Sequence, residues 1–155
     1  MSGAGLFVVA AQAKDPWSEV PAILDRIKPP RFPARDFNVM QFGAVANTGT
    51  ESTDAIAKAI AACSAAGGGR VVIPSGEFLT GPIHLKSRVN LYVSQGAVLK
   101  FVTDASKYLP VVYTRWEGTE LMNYSPLIYA FEQEDIAVTG PGTLDGQADQ
   151  THWWN

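Results

Sequence analysis

From Arg70 onward the apolar positions fall into short runs, each cut by Gly, Pro, Ser or Asn. The runs are Val71–Ile73, Glu77–Thr80, Ile83–Leu85, Val89–Val93, Val98–Phe101, Leu127–Phe131, Ile136–Thr139 and Thr143–Leu144. Runs this short and regular, with no long helix between them, predict a sandwich or barrel, or a solenoid. The earlier chain has a different rhythm. In Pro16–Ile27 the spacing of Val20, Ile23, Leu24 and Ile27 predicts a short helix with those residues inward, ended by Pro29 and Pro30. A proline-rich connector follows over residues 28–36. Asp36–Val45 alternates, with Phe37 and Val39 on one side and Asn38, Met40 and Phe42 on the other, predicting a strand that ends at Gly43. Ser52, Thr53 and Asp54 then cap a helix over 53–66. Its apolar face carries Ile56, Ala59, Ile60 and Cys63, and Gly67, Gly68 and Gly69 end it.

A weak internal repeat favours the solenoid. Asn90–Phe101 (NLYVSQGAVLKF) lies over Asp135–Gly146 (DIAVTGPGTLDG) at an offset of 45, pairing Val93 with Val138 and Leu99 with Leu144. No Asn-Gly or Asp-Gly turn joins adjacent runs, so stacked coils fit better than hairpins. In stacked coils the parallel strands lie above one another and inward Val, Ile and Leu form ladders. An open end of such a stack is an aggregation template, and the helix over 53–66 is the natural N-terminal cap. The last coil begins at Thr143 with no second cap after it. The chain is therefore expected to be the opening portion of a longer protein, truncated at its C-terminus.

Composition adds bounds. One domain is expected for 155 residues. A net charge of −3 gives no reason to expect nucleic acid or an anionic membrane as partner. Gly5–Ala11 is apolar and Ala11-Gln12-Ala13 has the small-x-small pattern of a signal-peptidase site, so residues 1–13 read as a signal-peptide remnant of a secreted or periplasmic protein. That run is too short to span a bilayer. Cys63, the single cysteine, reads as a small buried apolar side chain. With two His and one Cys no zinc-type spacing exists, and neither metal nor cofactor is expected. The three glycines follow a helix rather than open one and lack Gly-Lys-Ser/Thr, which excludes a phosphate loop.

The carboxylates do not assemble into an evident catalytic pair. Asp145, Glu132, Glu134 and Asp135 read as solvated or turn-stabilising groups. The most suggestive cluster is Arg115-Trp116-Glu117-Gly118, within a loop over 103–126. A cation, a flat aromatic and a carboxylate suit a sugar subsite; alternatively Trp116 pins the loop to the solenoid. Trp153 and Trp154 read as a stacking platform or as core, with core favoured for at least one.

Residues 36–155 resemble the N-terminal cap and first coils of the family 28 glycoside hydrolases, the polygalacturonases. The resemblance rests on Phe37-x-Val39-x-x-Phe42-Gly43-Ala44-Val45, Thr53-Asp54, Gly67-Gly68-Gly69-x-Val71 and the more specific Gly142-Thr143-Leu144-Asp145-Gly146-Gln147 followed by Trp153-Trp154. It implies an all-β solenoid: a right-handed, single-stranded parallel β-helix of the pectin-lyase-like kind, first coils only, behind an N-terminal capping α-helix. It also implies a metal-free, inverting hydrolase of α-1,4-galacturonosidic links in pectin, monomeric when full length. The organisation expected is residues 1–13, then a helix and connector over 14–35, then the β-helix over 36–155. The family's motifs Asn-Thr-Asp, Asp-Asp and Gly-His-Gly are missing. Asn47-Thr48 is followed by Gly49, and Arg26-Ile27-Lys28 matches Arg-Ile-Lys only by coincidence, in the first helix. Catalytic residues are thus expected C-terminal to Asn155, with the present chain inactive alone. Arg115 and Glu117 are the expected substrate-binding residues. The alternatives are a pectate lyase-type β-helix, which needs calcium carboxylates, and a non-catalytic carbohydrate-binding or adhesin β-helix.

Overall fold

A computed structural model describes residues 15–154; the signal-peptide reading of 1–13 lies outside them. In chain order, a 3-10 turn (Pro16–Glu19) runs into α1 (Val20–Arg26), then β1 (Asp36–Asn38), a 3-10 turn (Val39–Phe42) and α2 (Thr53–Ala65). The coils follow as β2 (Gly69–Ile73), β3 (Gly76–Thr80), β4 (Ile83–His84), β5 (Val89–Val93) and β6 (Ala97–Phe101). A 3-10 turn (Ala105–Tyr108) leads to β7 (Val112–Trp116) and β8 (Thr119–Asn123), before β9 (Ile128–Tyr129), β10 (Ala137–Thr139) and β11 (Thr143–Asp145).

Strands stack in three parallel sheets, ordered β1-β2-β5-β10, β3-β6-β11 and β4-β9. Successive turns of chain add strands to the same sheets, four, three and two strands deep, which is the single-stranded, right-handed parallel β-helix expected. Inward residues form ladders: Val71 under Leu91, Ile73 under Val93 and Phe78 under Leu99. All six are buried. Each such side chain contributes about 1.5–3 kcal/mol relative to exposure, so the ladders are the main cohesive element. The apolar face of α2, with Ile56, Ala59, Ile60 and the free Cys63 buried, covers β1, β2 and β4 as a cap.

Local details depart from the sequence pattern. The strand expected over Asp36–Val45 stops at Asn38, because the Asn38 side chain accepts from the Met40 amide and winds the chain into a 3-10 turn. The helix over Pro16–Ile27 forms, but Ile23, Leu24 and Ile27 are exposed rather than inward, and α1 buries no residue. Ser52 is the N-cap of α2 by position, yet its hydroxyl accepts from the Val45 amide, and the Thr53 hydroxyl accepts from the Gly81 amide. The first oxygen closes the loop before α2 and the second ties the cap to the first coil, instead of capping the helix's first turn.

The internal repeat is corrected by register. Leu144 does stack on Leu99, an offset of 45, but Val138 stacks on Leu91 rather than Val93, an offset of 47. The path from Val138 to Leu144 is thus two residues shorter than the path from Leu91 to Leu99 beneath it. It settles directly onto that lower path, with the Gly142 amide donating to the Val93 carbonyl at 3.0 Å. Among the described residues no helix is long and apolar enough to cross a membrane.

Candidate functional site

The second coil is interrupted. The chain leaves it at Val102, whose amide donates to the Thr80 carbonyl, and returns at Leu127, whose carbonyl accepts from Ile83. Residues between project from the side of the stack. Two contacts root them: Lys107 pairs with Glu51 at 2.9 Å, and buried Ser125 lies 3.0 Å from Nε2 of His84 while its amide donates to the Tyr108 carbonyl. His84 packs at 5.2 Å on Tyr129, and partial burial lowers its pKa below the ordinary value.

At the tip of the projection β7 and β8 form an antiparallel hairpin, a correction to the expectation that hairpins are lacking. Glu117 and Gly118 form the two-residue turn, both with positive φ (46° and 87°). A turn with both central residues left-handed has the twist that strand pairs need, and it usually takes Asn-Gly. Here Glu117 fills the first position. Residues directly opposite point to the same face, so Tyr113 with Met122 and Arg115 with Glu120 share one side.

That side encloses a cleft of about 380 Å³ against β9 and the chain beyond it, lined by Tyr113, Arg115, Glu120, Tyr129 and Phe131 among others. Tyr129 donates its hydroxyl to the Tyr113 carbonyl at 2.7 Å, and Phe131 meets Tyr113 edge to face at 5.3 Å. Among the described residues Arg115 forms no ion pair. The Glu120 carboxylate instead lies by the Tyr113 phenol and raises its pKa. The cleft therefore offers an uncommitted guanidinium, a carboxylate acceptor and two aromatic surfaces, a set suited to a polar ring bearing an anion.

Of the residues singled out in the sequence, Arg115 stands in the cleft wall and Glu117 at the exposed turn beside it. Trp116 is 65% exposed and lies on the opposite face of the hairpin, so it does not pin the loop. Glu120, Tyr113, Tyr129 and Phe131 were not singled out. The signal for Glu120 was present: a two-residue turn at Glu117-Gly118 places it opposite Arg115.

A second cleft of about 460 Å³ is lined by Tyr108, Leu127, His152 and Trp153 among others. Trp153 and Trp154 are 68% and 57% exposed, so neither is core in this structure. They meet edge to face at 6.5 Å, and His152 is held by Asp149 at 2.8 Å. Asp145 accepts from the Gln147 amide, the turn role expected of it, and Asp149 accepts from the Thr151 and His152 amides. Among the described residues no three His, Cys, Asp or Glu side chains gather as a metal site.

No protein-family model matches the chain. Its backbone superposes on a hyperthermoactive exopolygalacturonase from Thermotoga maritima with a TM-score of 0.82 and 48% identity, over 86% of this chain and 30% of that one. The family 28 exopolygalacturonase of Yersinia enterocolitica gives 0.65 and 31%, over 74% and 21%. In sequence, an exo-poly-α-D-galacturonosidase of Dickeya chrysanthemi is 33% identical over 117 residues, covering 70% of this chain and 19% of the relative. The chain thus spans under a third of the length of these relatives. By sequence and by the course of its coils, the chain belongs to the family 28 polygalacturonases.

Proposed function

We propose that these coils serve a glycoside hydrolase that cleaves α-1,4-galacturonosidic links in pectin. The observation carrying this reading is the likeness to exopolygalacturonases over most of the described coils. Since the chain spans only part of those relatives, the reading concerns the whole protein. The inverting reaction needs one carboxylic acid to protonate the leaving oxygen and a carboxylate to activate water, set roughly 6.5–9.5 Å apart. No described carboxylate is assigned to that pair. Asp104, Asp145 and Asp149 serve as acceptors for nearby turn amides. In this reading the acid–base pair lies outside residues 15–154, and these coils contribute the cap, the stack and substrate contacts. Arg115 in the cleft wall and Glu117 at the turn are the substrate-binding residues of this reading. The working place is outside the cytoplasm, secreted or periplasmic, where plant cell-wall pectin is met, and the working form is a monomer.

The test is reducing-sugar release from polygalacturonic acid, by the 155-residue chain and by the whole gene product. Release by the whole product, without an unsaturated sugar among the products, is the expected result. An unsaturated product identifies a lyase instead. Silence on polygalacturonic acid with activity on a neutral galactan overturns the substrate.

A further inference from the structure

Resting on the reading of the substrate as a uronate polymer, the geometry points to a hexuronate-holding site in the hairpin cleft. The uronate carboxylate lies on Arg115, ring hydroxyls donate to Glu120, and the sugar's apolar face packs against Phe131 and Tyr113.

The hairpin register supplies the first argument. Arg115 and Glu120 stand directly opposite and both line the cleft, yet they form no ion pair with each other. A cation beside a carboxylate normally neutralises it. Among the described residues neither Arg115 nor Glu120 forms an ion pair, which leaves the planar donors of Arg115 available to a ligand carboxylate, a geometry they match in bidentate fashion.

Complementarity is the second argument. A sugar acid presents an anion, several hydroxyl donors and a face of C–H groups. A neutral hexose leaves Arg115 without a counter-charge. A simple carboxylic acid leaves Glu120 with no hydroxyl to accept from and only its negative charge to meet. Only a ligand carrying both functions satisfies both walls, and this discrimination comes from the unfavourable pairings as much as the favourable ones.

The third argument is rigidity. The Tyr129 hydroxyl anchors β7 at Tyr113, two residues from Arg115, and the left-handed turn at Glu117-Gly118 holds the two strands in register. Preformed walls reduce the ordering cost of binding. A volume of about 380 Å³ lies at the small end of ligand pockets, enough for a terminal sugar unit or two. Among the described residues Glu120 is the only carboxylate in the lining, so the site holds sugar and does not cleave it.

The experiment is a calorimetric titration of the protein with trigalacturonate and, separately, with neutral galactotriose. Arg115→Met, Glu120→Gln and Lys58→Met are compared with wild type, each with its thermal midpoint recorded. Arg115, Glu120 and Lys58 are all exposed, so their replacement leaves the core intact. Trigalacturonate is expected to bind in preference to galactotriose, with affinity falling as salt rises. Arg115→Met should weaken binding about tenfold or more, Glu120→Gln several-fold, and Lys58→Met, on α2, not at all. Equal binding of the two trisaccharides, or unchanged binding in Arg115→Met, overturns the site. Hydrolysis of polygalacturonate is scored separately. Hydrolysis with unchanged binding in Arg115→Met overturns the site alone. Binding lost in Arg115→Met supports the site even where the whole protein hydrolyses nothing, and then it is the hydrolase reading that fails.

Discussion

Tyr129 reaches out of the second coil and donates its hydroxyl to the backbone carbonyl of Tyr113, 2.7 Å away. This is a side-chain bond between the coil stack and the hairpin that projects from it. A neutral hydrogen bond of this kind contributes about 0.5–1.5 kcal/mol net. Tyr129→Phe should therefore change the global unfolding midpoint little. Its effect should appear locally, as faster amide exchange across Val112–Trp116 and Thr119–Asn123 with the coil amides unaffected. Equal acceleration in β5 and β6 would show that the bond supports the stack instead.

Gly140 gives a second prediction. It has φ of +105°, and a Cβ there would overlap the Val93 carbonyl of the coil below. Gly140→Ala should cost at least about 2 kcal/mol, since an L residue in this backbone region costs roughly 1–3 kcal/mol before any overlap. Gly118→Ala is the control. Its φ of +87° is also left-handed, but the space around it is open, so its cost should stay near about 1 kcal/mol. Urea midpoints at constant m-value separate the two.

The ladder Phe78–Leu99–Leu144 tests where the cohesion lies. Leu99 is fully buried and Leu144 is 45% exposed on the uppermost strand. Leu99→Ala should destabilise by about 2–5 kcal/mol through lost burial and a cavity. Leu144→Ala, at the same ladder position one coil higher, should cost about 1 kcal/mol or less in this chain. Chemical unfolding of both variants reads the contrast directly.

Acid sensitivity should come in part from Asp36. Arg70 grips its carboxylate with two bonds, at 2.8 and 2.7 Å, and holds its pKa below the ordinary 3.8. A carboxyl with a lowered folded pKa adds stability that is fully present above its unfolded pKa and is lost as pH falls through the folded value. Wild type should thus lose this contribution below about pH 4, and Asp36→Asn should lack that part of the acid limb. Both partners are about half-exposed, so the effect is small and weakens with salt. Urea midpoints from neutral to acid pH, in wild type and variant, measure it.

Much of this architecture was legible in the chain itself. Short apolar runs broken by Gly, Pro, Ser and Asn announce strands joined by tight corners, and inward Val71, Ile73, Phe78, Leu91 and Leu99 have the period of two that a stacked strand requires. The face of α2 was equally plain, since Ile56, Ala59, Ile60 and Cys63 recur at helical spacing. These signals are local: a residue's neighbours within one or two turns decide its side. Tertiary structure decided what depends on how one coil sits on another. The offset of 47 at Val138 follows from a turn small enough, with Gly140 and Gly142, to settle on Val93. The exposure of Ile23, Leu24, Trp153 and Trp154 followed from the lack of a described surface against them. The Arg115–Glu120 pairing is local to the turn at Glu117-Gly118, and tertiary structure decided that Tyr129 holds this hairpin against the coil so that the pair lines a cleft. Hydrophobic patterning records which side of its own strand a residue faces, whereas pairing and register are set by packing between segments far apart in the chain.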